Sequence, residues 1–174
     1  LPLSALNNLR RQALEGLSEQ RVVLPQRRTF PFQPGVRYEN QKNPPVITVS
    51  VAHAKQVSDA MLNLAPDILY IPADELATHP QLVERCRKAG VEPVVSLPRV
   101  CFDRELPELR RQLEECKKLG ITEVLAGNLG HLLPLRELKM NIRGDYGLNL
   151  YNSGAVNVMR DLELKSATLS VEMT

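Results

Sequence analysis

The apolar positions along this chain change their period twice. Over residues 3–17 the period is helical: Leu3, Leu6, Leu9, Ala13, Leu14 and Leu17 share one stripe, and Arg10, Arg11 and Glu15 face away. Ser4 is placed to cap that helix. Residues 25–45 hold five prolines (Pro25, Pro31, Pro34, Pro44, Pro45). They read as an extended, irregular tether laid on a surface, with Phe30 and Phe32 to pin it. From Val46 onward, short apolar runs alternate with helical patterns. The runs cover 46–51, 68–72, 92–97, 122–127, 145–150 and 166–171, about 20–30 residues apart, the spacing of βα units.

Between the runs the helical period returns. In 54–64, Val57, Ala60, Met61 and Leu64 follow i, i+3, i+4, i+7. In 80–89, Pro80 suits the first helical position and Gly90 the C-terminal cap. Pro107 and Gly120 frame the next helix, with Leu109, Leu113 and Cys116 inward. A shorter helix is expected at 131–139 and a last one from Ser153 to Leu162.

Strand–helix alternation predicts parallel strands with right-handed crossovers. An open doubly wound sheet and part of an eightfold β/α barrel both satisfy it. A full barrel takes about 250 residues, so this chain falls short by about two βα units. The stop after the sixth strand favours an α/β, parallel, barrel-like fold, an incomplete TIM-type barrel of about six βα units. The expected organisation is a helix and connector at 1–24, the tether at 25–45 and a truncated βα domain at 46–174. Leu1 in place of Met, and Thr174 directly after a strand-like run, read as cut ends of a longer polypeptide.

Composition changes this picture little. The chain has 174 residues, a formal charge of +2 and only 4% aromatics, which favours layered α/β packing and does not argue for a nucleic-acid binder. No apolar run approaches the roughly 20 residues that span a bilayer. Cys86, Cys101 and Cys116 form an odd set without CxxC spacing, which points to a reducing cytoplasm rather than a disulfide framework.

Parallel α/β folds bind ligands at the carboxyl ends of their strands. His53, Asp74, Arg99 and Asn128 follow the first four strands, Asn149 and Asn152 the fifth, and Glu172 the sixth. Substrate-binding candidates are therefore Arg99, Asn128, Asn149, Asn152 and Glu172, converging on one mouth. Asn149 is expected inside the end of its strand, pointing inward to a partner. Arg99 and Glu172 are expected to pair when the mouth is empty. For Asn152 and Ser153 the plainer role is a helix cap. Cys101 with His53 is the one nucleophile–base pair to consider, though a free cysteine is more often a small core residue. The histidines show no metal-ligand spacing, so no metal site is expected. Gly127 and Gly130 in "AGNLGH" admit either a phosphate approach or a simple tight turn.

The stretch "GDYGLNLYNSGAVNVMRDLELKSATLSVEMT" (144–174) resembles the collagenase-like peptidase family, family 32 among peptidases of unknown catalytic type. The resemblance rests on Leu148–Asn149, then Asn152–Ser153, then a helix and a strand ending Leu169–Ser170 and Glu172. "LPLSALNNLRRQALEGL" (1–17) looks like the helix that opens the C-terminal module of long bacterial members, and "SLPRV" (96–100) is similar too. The resemblance implies a β/α barrel and activities that differ among members. Some degrade collagen; others hydroxylate RNA or quinones with an iron–sulfur cluster on four cysteines. The family's cysteine-bearing signature lies beyond the last strand here, so no cofactor is expected in this piece, and no catalytic residue carries over.

Two functions follow as expectations. One is part of a collagenase-like peptidase, with a substrate-binding mouth but no independent activity. The other is a non-catalytic RNA- or partner-binding module of an iron–sulfur-dependent hydroxylation enzyme. The expected partners are the rest of a longer polypeptide and a second copy across exposed sheet edges.

Overall fold

The computed structural model describes residues 2–24, 29–31 and 44–172. The chain divides into two units, Leu1–Val36 and Arg37–Thr174, each treated by itself. The first contains α1 (Leu3–Val22), which runs five residues beyond its predicted end and in which no residue is buried. Pro2, not Ser4, occupies its N-cap, without a side-chain cap bond. Phe30 is exposed, so it does not act as a pin; Phe32, Pro34 and most of the tether lie outside the described residues.

The second unit is a six-stranded parallel sheet in the order β1-β2-β3-β4-β5-β6, curled into a half-barrel with helices between the strands. Its strands are β1 (Thr48–Ser50), β2 (Ile68–Pro72), β3 (Glu92–Ser96), β4 (Glu123–Ala126), β5 (Asn141–Gly144) and β6 (Ser166–Ala167). The helices are α2 (Asp59–Asn63), α3 (Ala73–Thr78), α4 (Gln81–Lys88), α5 (Leu106–Lys118), α6 (Leu132–Glu137) and α7 (Ser153–Asp161).

Alternation along each strand decides the two faces. Leu69, Ile71, Val95, Val124, Ala126 and Ile142 point to the helices and join one core with Leu76, Leu113 and Leu135. Each fully buried aliphatic side chain there contributes about 1.5–3 kcal/mol. The opposite, concave face carries Ile68, Tyr70, Val94 and Leu125 as a small apolar cluster. Beside it stand polar groups in register: Ser50 with Tyr70, Leu125 with Arg143, and Arg143 with Ser166.

The turns entering the strands repeat one device. After α4, α5, α6 and α7 the chain passes through a left-handed residue, Gly90, Gly120, Lys139 or Glu163. The next residue then bonds back into the helix: Val91 N to Cys86 O, Ile121 N to Cys116 O, Met140 N to Leu135 O and Leu164 N to Met159 O, all 3.0–3.1 Å. This is the six-to-one closure of a Schellman motif, and the following apolar residue seals it. A basic side chain from the preceding helix then satisfies the next cap. Arg87 donates to the Leu119 and Gly120 carbonyls, Lys117 to Leu138 O and Arg136 to Leu162 O. Positive charge at these carbonyl-rich ends also complements the helix dipole.

Two expected elements need correction, and one helix, α3, was not expected. The helix predicted over 54–64 is a 3-10 turn (Ala54–Gln56) and then α2, capped by Ser58, whose hydroxyl accepts from Met61 N at 3.2 Å. The break rotates the stripe, so Leu62 is buried and Leu64 is 82% exposed. The fifth strand is Asn141–Gly144, not 145–150, because 145–150 forms an acid-capped 3-10 turn instead. The helix α3 follows β2 without a loop; Pro72 at its N-cap serves strand and helix at once.

Candidate functional site

At the carboxyl ends of β3, β4 and β5, three successive loops are stitched together. Asn128 Nδ2 donates to Arg99 O at 3.1 Å, while its Oδ1 accepts from Gly130 N at 2.8 Å. Arg99 Nη1 donates to the Tyr146 hydroxyl at 2.8 Å, and the guanidinium lies 4.8 Å from the Tyr146 ring centroid. Stacking and hydrogen bonding together hold a planar cation in one orientation. Asp145 N donates to Ala126 O at 2.9 Å, and its carboxylate accepts from Tyr146 N at 2.8 Å.

Glycine makes the closest approach possible. A Cβ on Gly147 would stand 2.6 Å from the Gly127 carbonyl oxygen, backbone against backbone. At Gly127 the same atom would meet Arg99 and Asp145 at an ordinary 3.5 Å. The glycine this mouth requires is therefore Gly147, whereas Gly127 and Gly130 form a turn in which Asn128 caps its own loop.

Below the mouth the concave face encloses a cavity of about 640 Å³, lined by Thr48, Ser50, Tyr70, Arg143, Tyr146 and Ser166 among others. Toward its floor, Arg143 Nε meets Glu123 Oε2 at 2.6 Å and Nη1 reaches Ser166 Oγ at 3.2 Å, with Lys165 on the other Glu123 oxygen. Burial works to raise Glu123, but Lys165 and Arg143 outweigh it and hold the carboxyl below its ordinary value. Burial raises the Tyr70 hydroxyl, and the neighbouring Arg143 opposes that. Sequence reading missed Tyr70, Glu123 and Arg143 because it searched the loops after the strands and not the strand faces, and Tyr146 because it read 145–150 as a strand. The signal is Glu123 in the run 122–127 and Arg143 in "NIRG", one charge in each strand, which alternation puts on the face opposite Val124 and Ile142.

The other predicted residues make local contacts. Asn149 is exposed and left-handed (φ 51°) at the end of the 3-10 turn Tyr146–Leu148. An inward orientation within a strand is thereby overturned, and an Asn suits this conformation because it tolerates the left-handed region. Asn152 caps α7 by accepting from Ala155 N at 2.9 Å. Glu172 is exposed, and its backbone N–H donates to Ser170 Oγ at 3.3 Å. Among the described residues no ion pair joins Arg99 to Glu172; Arg99 is turned to Tyr146 instead.

His53 and Cys101 engage separate partners. His53 Nδ1 lies 3.0 Å from Glu75 Oε1, and the other Glu75 oxygen accepts from Ala54 N at 2.9 Å. That backbone bond and the His53 bond depress the Glu75 carboxyl. Cys101 lines a groove of about 620 Å³ with Asp74, Ser96 and Arg104. Burial and the nearby Glu105 and Asp103 push its thiol up, the opposite of nucleophile activation.

An iron–sulfur cluster does not fit the cysteines present. Cys86 and Cys116 fill the core at 0% exposure, and burial pushes the Cys116 thiol up to about 11. Cluster ligation needs four convergent thiolates. Among the described residues no group of three His, Cys, Asp or Glu could hold a metal ion, and no helix is long and apolar enough to cross a membrane.

No curated protein and no solved structure matches the chain. A family model, peptidase family U32, matches residues 73–174. That span starts at α3, runs through β6 and takes in every loop of the stitched mouth. By this match over more than half its length, the chain belongs to peptidase family U32.

Proposed function

We propose that this chain is the substrate-holding part of a collagenase-like peptidase, gripping an extended peptide at the mouth formed by Arg99, Asn128, Asp145 and Tyr146. The carrying observation is the fixed Arg99 guanidinium, held by the Tyr146 hydroxyl and ring at the carboxyl ends of the strands. A peptide backbone offers carbonyls and N–H groups in alternation. Arg99 and Asn128 supply donors for the first, and Asp145 an acceptor for the second. The 640 Å³ concavity beneath gives room for a side chain.

Hydrolysis requires more than this unit supplies. A thiol raised by burial and by two acids is a poor nucleophile, and His53 is oriented by Glu75. Catalytic groups would therefore come from a further part of the same polypeptide or from a second copy, joined at the edge strands β1 and β6.

Binding of a fluorescent Gly-Pro-rich collagen peptide tests the reading. Saturable binding is expected, weakened roughly tenfold by Arg99→Ala, as for loss of a charge-assisted hydrogen bond, with no cleavage of gelatin. Equal binding by Arg99→Ala, or displacement of the peptide by single-stranded RNA at equal concentration, would overturn it. The second result would favour the RNA-binding alternative.

A further inference from the structure

His131 is the buried polar side chain that the mouth does not use. It is 3% exposed, and among the described residues neither ring nitrogen has a hydrogen-bond partner. Both nitrogens are closed to water, so a proton taken up there would leave a charge with neither partner nor solvent. With Leu97, Leu106, Leu113 and Leu135 the ring lines the groove between α5 and α6. The charged side chains beside that groove are committed elsewhere. Arg110 of α5 holds Glu137 of α6 at 3.1 Å and Glu114 at 3.5 Å. Arg136 reaches away to Leu162 O, and Arg99, from the loop after β3, is turned to Tyr146. Burial depresses His131 below its ordinary 6.5.

The ring is tied to the mouth by one short turn. His131 ends the 3-10 turn Leu129–His131, whose N-cap is Asn128. Its own backbone N–H donates to Asn128 O at 3.1 Å. Asn128 in turn accepts from Gly130 N and donates through Nδ2 to Arg99 O. The buried ring and the clasp on the Arg99 loop therefore stand at the two ends of one turn, and lifting the ring from its seat moves both.

We propose that the Leu129–His131 turn is an acid-released latch on the mouth: His131 takes up a proton only when the turn lifts from its seat, and lifting withdraws Asn128 from the Arg99 carbonyl. Above pH 6.5 the ring is neutral in either position, and the seated turn is favoured. As pH falls below that, the lifted ring binds a proton that the seated ring refuses, and the lifted population gains up to about tenfold per pH unit. A lifted-to-seated ratio of about one to ten at neutral pH puts the midpoint near about pH 5.5. Release of the turn does not depend on the peptide-binding reading; a loss of peptide in acid rests on it.

NMR of the full chain can follow the His131 ring, the Asn128 side-chain amide and the Arg99 backbone amide from about pH 7.5 to about pH 5. The three are expected to move together, while the Val91 and Ile121 amides, bonded to Cys86 O and Cys116 O at the opposite end of the strands, keep their folded positions. His131→Phe should hold the Asn128 and Arg99 signals at their neutral positions throughout. Asn128→Ala removes the clasp and, by reciprocity, should raise the His131 midpoint toward 6.5; it decides the question if His131→Phe fails to fold. Affinity for the collagen peptide should fall several-fold at the acid end in the parent and stay level in His131→Phe. Absence of peptide binding at both ends would sink the peptide reading alone, and the spectra would still decide the latch. The proposal is overturned if His131 does not titrate in this range, if it titrates while Asn128 and Arg99 hold still, if Val91 and Ile121 change with them, or if Asn128→Ala leaves the His131 midpoint unmoved.

Discussion

The two ends of the half-barrel are built on opposite principles. At the amino ends of the strands, four turns repeat one left-handed closure, and three of them are tied to the preceding helix by Arg87, Lys117 or Arg136. The charges near that floor, Glu123, Arg143 and Lys165, are spent on one another. At the carboxyl ends the loops after β1, β3, β4 and β5 each enter a 3-10 turn, but what surrounds that turn differs. One becomes α3 directly, one holds Asn128 in its own turn, and one leaves Tyr146 against Arg99. Uniform turns are what stability selects, because each solves the same problem of ending a helix and starting a strand. Loops that differ are free to carry chemistry, as expected of the two ends of a β/α barrel.

The comparison breaks most visibly at the floor. Arg143→Met leaves Glu123, which is 13% exposed, with half its compensation, and is expected to cost about 3 kcal/mol by urea unfolding. Adding Glu123→Gln should recover part of that loss. If Arg143→Met is as stable as the parent, the floor network is not structural. At the mouth, Gly147→Ala forces a methyl group onto the Gly127 carbonyl and should cost about 2 kcal/mol. Gly127→Ala should change stability by much less, since its Cβ meets only ordinary contacts. Equal effects would show that the two loops are not fixed against each other.

Smaller effects separate the four repeated turns. Gly120→Ala places a side chain at φ +79° beside the Arg87 guanidinium and is expected to destabilise by about 1 kcal/mol. Lys139→Gly removes a side chain from φ 54° and is expected to stabilise by roughly 0.5–1 kcal/mol. Thermal unfolding of both variants would check that opposite signs occur at equivalent positions.

The smallest expected signal is in pH, and it also divides the two ends. Burial depresses His131 below its ordinary 6.5. The unfolded chain therefore takes up that proton first, and the His131 contribution, full above pH 6.5, is lost as pH falls from there toward the folded value. Glu123 is depressed below its ordinary 4.5 by Lys165 and Arg143 against the effect of burial. Its contribution is full above 4.5 and is lost only as pH falls below that. Stability measured against pH should show two steps. His131→Phe should remove the upper one, and Glu123→Gln should shrink the lower, which Glu75 shares. A single step in the parent would contradict this assignment.

Much of the floor was legible in the sequence. Gly90 and Gly120 announced their caps because only glycine takes a left-handed conformation without cost. Lys139 and Glu163 adopt the same conformation and gave no sign, since the closing backbone bonds compensate a strain that residue type does not advertise. Arg99 and Asn128 were identifiable at the rim as polar residues directly after apolar runs. Tyr146 was not, because its partner stands 47 positions away in the chain.

What the sequence determined by itself is the local and periodic part: parallel βα repetition, the inward stripe of α5, and the caps at Asn152 and Gly120. These depend on neighbours within a few residues, which a linear reading contains. What only the tertiary structure decided is which face each strand turns to the helices and which loops meet. Beginning β5 at Asn141 rather than Asp145 moved Asn149 from a strand end to an exposed turn and put Arg143 on the concave face beside Glu123. A strand's alternation is fixed by its register with the neighbouring strand, and that register is set by contacts far apart in sequence.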